Sequence, residues 1–277
     1  MRFSKMHGLG NDFMVIDGVS QEIQLTEIMV RRFSDRKRGV GFDQLLLVEA
    51  SDDPEFDFVY RIFNADGYEV EQCGNGARCF ARFVHDIGLT DKKSIAVKTK
   101  AGPLQINLEE NQQVSVDMGA PIFELSKIPF IAKTQASAYE ILLPQQTIEA
   151  SVLSMGNPHC VIRVDSVEDA AVDEIGRELS THRLFPNGVN VGFMEIVDSY
   201  LIKLRVYERG VGETEACGSG ACAAVVAGRI RALLRDQVTV RLRGGDLTVN
   251  WPGGTKSVRL TGPVAHVFDG EIALGAS

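Results

Sequence analysis

Two cysteines in this sequence stand in the same short context. Cys73 is followed by Gly-Asn-Gly and Cys217 by Gly-Ser-Gly, and in each case a run of small and apolar residues comes next. This pattern predicts a cysteine at the N-terminus of a buried helix. At that position, unpaired backbone N–H groups and the helix dipole are expected to lower the pKa of a thiol from its usual value of about 8.5. The same N–H groups, with glycines beside them, suit a small carboxylate.

The two cysteines belong to two copies of one longer pattern. Cys217 follows Cys73 by 144 residues (217 − 73), and Arg205 follows Arg61 by the same distance. Further upstream the spacing becomes 146 residues, which pairs Asn11 with Asn157 and Gln44 with Asn190. A repeat over this length predicts two similar domains.

Each copy is predicted to contain one buried helix behind its cysteine. These helices run from Ala77 to a C-capping Gly88 and from Ala221 to a C-capping Gly228, and both are apolar on nearly every face. Alternating apolar and polar segments around them are typical of antiparallel strands. Two further helices are predicted at 26–36, with Ile28, Met29 and Phe33 inward, and at 167–179.

The domain boundaries are predicted at two matched breaks in the pattern, Gly119-Ala120-Pro121 and Thr261-Gly262-Pro263. We therefore expect residues 1–118 plus 264–277 to form an N-terminal domain that carries Cys73. Residues 119–263 are expected to form a C-terminal domain that carries Cys217. The predicted fold class is α+β, with two pseudo-symmetric domains, each a largely antiparallel or mixed sheet wrapped as a barrel around a central helix.

Composition narrows the functional classes. The net charge is −8 and the pI is near 5.2, which argues against nucleic acid or an anionic membrane as a partner and favours a small charged metabolite. No apolar run approaches the length of a membrane span, so we expect a cytoplasmic protein. Five cysteines without a dense framework predict reduced thiols, with Cys79, Cys160 and Cys222 in the core.

Several amides at predicted element ends recur in both copies. Taken singly, such residues usually cap turns, but their pairing favours a binding site for ammonium and carboxylate groups. The amides are Asn11, Gln44, Asn64, Asn157 and Asn190.

Three other side chains are candidates for chemistry. Glu208-Arg209 occupies the position equivalent to Asn64-Ala65 of the first copy, so the two halves of the site would differ here. The alternative is that Glu208 and Arg209 form only a surface ion pair. His159 follows Gly-Asn-Pro and either tunes a thiol or has a structural role.

Neither a metal nor a cofactor is expected. Cys73 and Cys79 lack metal-finger spacing, and no second C-x-x-C pair exists. There is also no phosphate-binding loop, and Gly8 and Gly10 lack the remainder of a dinucleotide fingerprint.

The sequence closely resembles the diaminopimelate epimerase family over nearly its whole length. The resemblance rests on MHGLGNDF (6–13), FDQ (42–44), NADG (64–67), CGNGARC (73–79), GNPH (156–159), ERGVGET (208–214) and CG (217–218). It implies two similar domains with the substrate in the cleft between them. It also implies cofactor-independent conversion of LL- to meso-diaminopimelate, in lysine and peptidoglycan precursor biosynthesis, and is compatible with a homodimer.

The resemblance also implies residue roles. Cys73 and Cys217 match the two acid/base thiols, and Gly74, Asn75, Gly218 and Ser219 match the positions that bind the reacting α-carboxylate. Ser219 stands where threonine is common in the family. The remaining substrate-binding positions are matched by Asn11, Gln44, Asn64, Asn157, Asn190, Glu208 and Arg209.

Two other functions remain open on the sequence alone. Proline racemases and hydroxyproline epimerases share this chemistry, although Arg209 and the amides favour a substrate with a second carboxylate. A redox-sensing binding protein would use the same two thiols by joining them when oxidised.

Overall fold

The computed structural model describes residues 1–70 and 74–274. The chain forms two compact units, one of Met1–Val116 with the chain from Thr261 onward, and one of Asp117–Leu260. Each unit has mixed, mostly antiparallel strands and few helices. The predicted α+β fold of two similar domains is confirmed.

In the described part of the chain, the first unit contains eight strands before the chain enters the second unit and one after it. The strands are β1 (Arg2–Gly8), β2 (Asn11–Asp17), β3 (Gln44–Ala50), β4 (Phe58–Asn64), β5 (Glu69–Val70), β6 (Ser94–Thr99), β7 (Gly102–Leu108), β8 (Val114–Asp117) and, at the end of the chain, β18 (Ala265–Glu271). The helices are α1 (Glu27–Ser34) and α2 (Gly74–Asp86). β18 pairs antiparallel with β1, so the end of the chain belongs to the first unit.

The second unit repeats this order. Its strands are β9 (Tyr139–Leu142), β10 (Thr147–Ser154), β11 (Pro158–Val164), β12 (Asn190–Asp198), β13 (Leu201–Glu208), β14 (Gly212–Thr214), β15 (Gln237–Leu242), β16 (Gly245–Asn250) and β17 (Arg259–Gly262). Its helices are α3 (Val172–Ser180) and α4 (Gly218–Ile230).

Strand pairing repeats with the sequence. β2 runs parallel to β3 with Phe13 opposite Gln44, and β11 runs parallel to β12 with His159 opposite Asn190. These two registers differ by the 146-residue spacing of the sequence repeat (159 − 13 and 190 − 44). The internal duplication is therefore present in the pairing of individual residues.

The helices behind the two cysteine positions form the cores of their units. α2 packs against β1, β2, β3 and β7, and α4 packs against β10 to β13, β15 and β16. Gly76 and Gly220 allow this close packing, because a Cβ at Gly76 would lie 2.4 Å from Tyr60 Oη and one at Gly220 would lie 3.1 Å from Val206 Cγ2. Cys79, Cys160 and Cys222 are fully buried, which confirms their predicted place in the core.

Three local predictions were wrong, and in two of them a tertiary contact decides the local structure. Ile28 of α1 points outward and is 73% exposed, whereas Phe33 is buried. Gly228 lies inside α4 rather than at its C-cap, and it leaves room for Leu234, which a Cβ would approach to 2.4 Å. α3 begins at Val172 rather than near Val167, whose N–H and C=O bond instead to the side chains of Glu195 and Arg205.

Within the described ranges, no helix is both long enough and apolar enough to cross a membrane.

Candidate active site

Strand topology brings the predicted polar residues of the second unit to one edge. β11 and β12 are parallel and begin at Pro158 and Asn190, and β13 is antiparallel to β12 and ends at Glu208. Asn190 donates from Nδ2 to Pro158 O at 3.1 Å, and its Oδ1 accepts from the Arg209 backbone N–H at 2.9 Å. Asn157 immediately precedes β11. Four residues predicted for the site therefore lie together at this edge: Asn157, Asn190, Glu208 and Arg209.

The first unit has the corresponding arrangement. β2 and β3 begin at Asn11 and Gln44, and Gln44 lies opposite Asn64, to whose Oδ1 it donates at 2.9 Å. In the first turn of α2, which opens at Gly74, Asn75 donates to Asn11 Oδ1 at 3.3 Å. The Oε1 of Gln44 is buried and has no hydrogen-bond partner among the described residues. A buried amide oxygen in this state is suited to a donor on a ligand.

A compact group of charges holds Asn11 in place. Asn11 donates to Asp43 Oδ2 at 3.0 Å, and Arg36 donates to Asp43 Oδ1 at 2.7 Å and to both oxygens of Asp12 at 2.9 and 2.7 Å. Burial raises the pKa of Asp12, but hydrogen bonds from Arg36 and Lys5 outweigh it and lower the pKa to about 2. The Asp12 carboxylate is therefore ionised and holds Arg36, which in turn bonds to Asp43, the acceptor of the Asn11 amide.

Cys217 lies at the N-cap of α4, as predicted, and is 5% exposed. Its Sγ lies 3.6 Å from the hydroxyl oxygen of Ser219, and its thiol donates a hydrogen bond to the carboxylate of Glu208. Thr214 Oγ1 donates to Glu208 Oε1 at 2.6 Å, which fixes that carboxylate beside the thiol. Gly218 is the first residue of the helix. A thiol, a proton acceptor and a helix N-terminus therefore meet at one place.

The predicted lowering of the thiol pKa is wrong for Cys217. Burial is the largest influence and raises the pKa well above its usual value, and the negative charge of Glu208 raises it further. The hydroxyl of Ser219 and the backbone N–H of Gly220 act in the opposite direction but do not compensate. Near neutral pH the Cys217 thiol is thus protonated, with a carboxylate in place to accept its proton.

His159 is almost fully buried, with 1% exposure, and its Nε2 lies 2.9 Å from Asn157 Oδ1. Burial, and after it the positive charge of Arg209, lowers the pKa of His159 to about 3. The imidazole is therefore neutral near pH 7. Because an amide oxygen only accepts, this contact uses the Nε2–H tautomer, so His159 orients the Asn157 amide.

The sequence model described as diaminopimelate epimerase matches residues 3–124 and 151–267. The chain belongs to the diaminopimelate epimerase family. The matched segments contain every residue predicted above for the site. Family membership supports an isomerase of the epimerase type.

Solved structures similar to this diaminopimelate epimerase family member share its fold. A probable proline racemase from Agrobacterium radiobacter K84 has a TM-score of 0.73 and 18% identity, over 99% of this chain and 93% of that chain. A hydroxyproline epimerase from Agrobacterium vitis has a TM-score of 0.71 and 16% identity, over 98% and 91%. A PhzF-family phenazine biosynthesis protein from Bacillus anthracis has a TM-score of 0.67 and 18% identity, over 99% of both.

Two residues that support the site were missing from the sequence prediction. Asp43 holds Asn11, and Thr214 holds Glu208. Both stand in segments that carry the resemblance to the family: Asp43 in FDQ (42–44) and Thr214 at the end of ERGVGET (208–214). Their place in these segments was the one sign in the sequence that they support the site. Cys73 lies outside the described residues, so its role stays a prediction.

The neutral, buried His159 predicts a specific dependence of stability on pH. The pKa is about 3 in the folded protein against about 6.5 when unfolded, so the unfolded chain binds the extra proton between these values. Stability from this residue is therefore complete above pH 6.5 and is lost as the pH falls, by up to about 1.4 kcal/mol per pH unit. We expect His159→Gln to flatten the decline in the free energy of unfolding between pH 6.5 and 4, measured by urea titration.

His266, an exposed histidine that pairs with Asp269 at 2.8 Å, provides the control for replacement of a surface histidine. His266→Gln should leave the acid slope of the wild type in place. An unchanged slope in His159→Gln would show that His159 is protonated in the folded protein.

Proposed function

We propose that this protein converts LL-2,6-diaminopimelate to meso-diaminopimelate by cofactor-independent proton transfer, with Cys217 and Cys73 as the two acid/base thiols. The observation that carries the proposal is the thiol of Cys217, held at the start of α4 and hydrogen-bonded to Glu208. Family membership supports the reaction type, and the internal repeat supplies Cys73 as the second thiol. The product serves lysine and peptidoglycan precursor biosynthesis.

The reaction breaks one α C–H bond and forms another on the opposite face of the same carbon. One thiolate takes the α-proton, and the thiol of the other cysteine gives a proton to the carbanion, so one turnover exchanges the protonation states of the two sulfurs. The protonated Cys217 is ready to donate. For the reverse direction Cys217 gives its proton through Glu208 to solvent and Cys73 takes a proton from solvent, so that thiolate and thiol exchange places before the α-proton is removed.

The polar edges suit the groups of an amino acid. The N-terminus of α4, with Gly218 and Ser219, presents backbone N–H groups and a positive dipole end to an α-carboxylate. In the first unit, Gly74 and Asn75 open α2 in the same way. Acceptors for the ammonium group come from the buried Oε1 of Gln44, from Asn64 and from Glu208, while Asn11, Asn157 and Asn190 complete the polar lining.

Arg209 is proposed to bind the distal carboxylate. Its Nη1 donates to Asn187 O at 2.7 Å. Its side chain packs against Gly188, where the Cβ of any other residue would lie 2.8 Å from Arg209 Cδ. Gly188 has a φ of +71°, so this turn both requires glycine and makes space for the arginine. A guanidinium has five N–H donors, and the bond from Arg209 Nη1 to Asn187 uses one of them. Its planar fork suits a second carboxylate.

We expect Arg209→Ala to lower kcat/KM for diaminopimelate by about tenfold to more than a hundredfold. This corresponds to the loss of one charge-assisted hydrogen-bonded contact, about 1.5 to 3 kcal/mol. An analogue that lacks the distal carboxylate should lose far less. Arg209→Lys keeps the charge without the fork and should recover only part of the activity. The measurement is kcat/KM for both substrates in each variant.

Arg163→Ala, at an exposed arginine of the same unit, serves as the control for removal of a surface charge. Equal losses on both substrates in Arg209→Ala would mean that Arg209 does not bind the distal carboxylate.

The proposed activity is tested by following exchange of the α-hydrogen into deuterated water, with the thiols kept reduced. We expect exchange and inversion with LL- and meso-diaminopimelate. Exchange with proline or hydroxyproline alone would make the protein an imino-acid racemase or epimerase instead. The absence of exchange with all of these substrates, together with a reversible disulfide between Cys73 and Cys217, would identify a redox-sensing protein.

A further inference from the structure

Two bidentate ion pairs occupy matched positions in the two units. Arg61 donates from Nε and Nη2 to the two oxygens of Glu69 at 3.0 and 2.9 Å. Arg205 donates from the same two atoms to Glu213 at 2.6 and 2.7 Å. Both members of the pair follow the 144-residue spacing of the cysteines (205 − 61 and 213 − 69).

Each pair spans the hairpin that leads to a cysteine. Glu69 lies opposite Phe63 in the β4–β5 hairpin, and Glu213 lies opposite Tyr207 in the β13–β14 hairpin. The second strand of the β13–β14 hairpin is short, with three residues in β14. So short a strand has few backbone hydrogen bonds to fix its register. An ion pair between side chains across the hairpin helps to fix it.

The opposite face of the β13–β14 hairpin carries the groups beside the thiol. Side chains alternate along a strand, so Arg205 and Glu213 share one face while Glu208 and Thr214 share the other. Thr214 holds the Glu208 carboxylate that accepts from the Cys217 thiol, and only two residues separate Thr214 from Cys217. A shift of β14 along β13 would therefore move the carboxylate and the thiol apart.

The pair in the second unit is the more enclosed of the two. The side chains of Arg205 and Glu213 are 22% and 11% exposed, against 36% and 28% for Arg61 and Glu69. Arg205 also donates to Val167 O at 2.7 Å, which anchors the guanidinium outside the hairpin. Hydrogen bonds from Arg205 lower the pKa of Glu213, so the pair stays ionised across the neutral range.

We propose that Arg205–Glu213 and Arg61–Glu69 are positioning pairs, each of which sets the placement of the cysteine four residues after its glutamate. The bonds of Arg205 and Glu213 do not include the Cys217 thiol, so this pair acts on it through the hairpin. This inference rests on the proposed two-thiol reaction. It assigns one pair to Cys217 and the other to Cys73, so each pair affects one thiol.

The test uses Arg205→Ala, Arg205→Lys and Arg61→Ala, with Arg241→Ala as a matched control. Arg241 also makes a bidentate pair in the second unit, with Asp246 at 3.1 and 3.2 Å on the β15–β16 hairpin, but this pair is exposed and exposed ion pairs contribute little. We expect Arg205→Ala to lower kcat by about tenfold to a hundredfold with KM changed far less, the pattern of a small misplacement of catalytic groups. Arg205→Lys should recover part of kcat, and Arg241→Ala should match the wild type.

A second readout follows each thiol separately, as the rate of alkylation at Cys217 and at Cys73 by peptide mass spectrometry. Arg205→Ala should change the rate at Cys217 by about threefold or more and leave Cys73 as in the wild type, and Arg61→Ala should do the reverse. If Arg205→Ala does not fold, Glu213→Gln, which keeps the shape of the side chain and removes its charge, is measured in the same way.

The inference is overturned if either arginine variant changes both cysteines alike, or if Arg205→Ala has no larger effect than Arg241→Ala. The alkylation readout needs no substrate. A wild-type protein without α-hydrogen exchange would therefore contradict the proposed function, while the alkylation rates would still decide whether the pairs position the thiols.

Discussion

Replacement of Cys217 by alanine is expected to lower the rate of epimerisation by at least about a thousandfold. A positioned acid or base contributes about 10²- to 10⁴-fold, and inversion requires proton transfer on both faces, so the remaining cysteine has no substitute partner. The Cys73 thiolate can still remove a proton on its own face, and the thiol so formed can return it. We therefore expect one stereoisomer to exchange its α-hydrogen with solvent without inversion, which chiral chromatography and mass spectrometry in deuterated water would detect.

Cys222→Ala is the matched control for this experiment. Cys222 is in the same helix, is fully buried, and has no cysteine at the equivalent position of the first copy. Its replacement removes one sulfur from the core and should reduce stability by about 1 kcal/mol without a comparable loss of turnover. Turnover by Cys217→Ala at the level of the Cys222→Ala control would contradict the two-thiol mechanism.

The fold was predictable because the two copies agree with each other. The spacing that pairs Gln44 with Asn190 also pairs Phe13 with His159, and the structure places both pairs in the same parallel register. The errors lie where a single distant contact decides the local structure. The local sequence predicts Gly228 as a C-cap, whereas the structure shows that Leu234 packs against it inside α4. No local pattern predicts that contact.

That the amides of the first unit lie at one edge was predictable for the same reason. Asn11, Gln44 and Asn64 stand at element ends in the sequence, and the topology of parallel and antiparallel strands brings such ends to one edge. The supporting residues were not predictable by this route, because Asp43 and Thr214 act through hydrogen bonds that depend on side-chain direction.

The protonation state of Cys217 could not be predicted from the sequence, because two opposing effects on its pKa differ in size. A helix N-terminus stabilises a negative charge by up to about 2 kcal/mol, equivalent to about 1.5 in pKa. Complete burial moves a pKa by as much as about 3 to 5 in the other direction. The sequence shows the helix start directly, but the depth of burial and the nearness of Glu208 exist only in the folded unit.

Glu208→Gln is expected to lower the pKa of the Cys217 thiol, which makes it easier to alkylate, and yet to lower turnover. Glutamine keeps the size of the side chain and an oxygen for the Thr214 hydroxyl, but it carries no charge and cannot accept a proton. Loss of the nearby charge should lower the pKa of Cys217, because Glu208 now raises it. Alkylation of Cys217 should accordingly reach its half-maximal rate at a lower pH than in the wild type.

Turnover should fall nevertheless, by about 10²- to 10⁴-fold, because the proton of Cys217 then has no positioned acceptor when this residue must act as a base. A thiol that merely needed a lower pKa would instead work faster in this variant. Glu174→Gln, at an exposed glutamate on α3, controls for the loss of one negative charge from the second unit and should change neither the alkylation profile nor kcat. The combination of a lower thiol pKa with a lower kcat distinguishes a proton acceptor from a purely electrostatic neighbour, and a Glu208→Gln variant that retains wild-type kcat would assign Glu208 to structure alone.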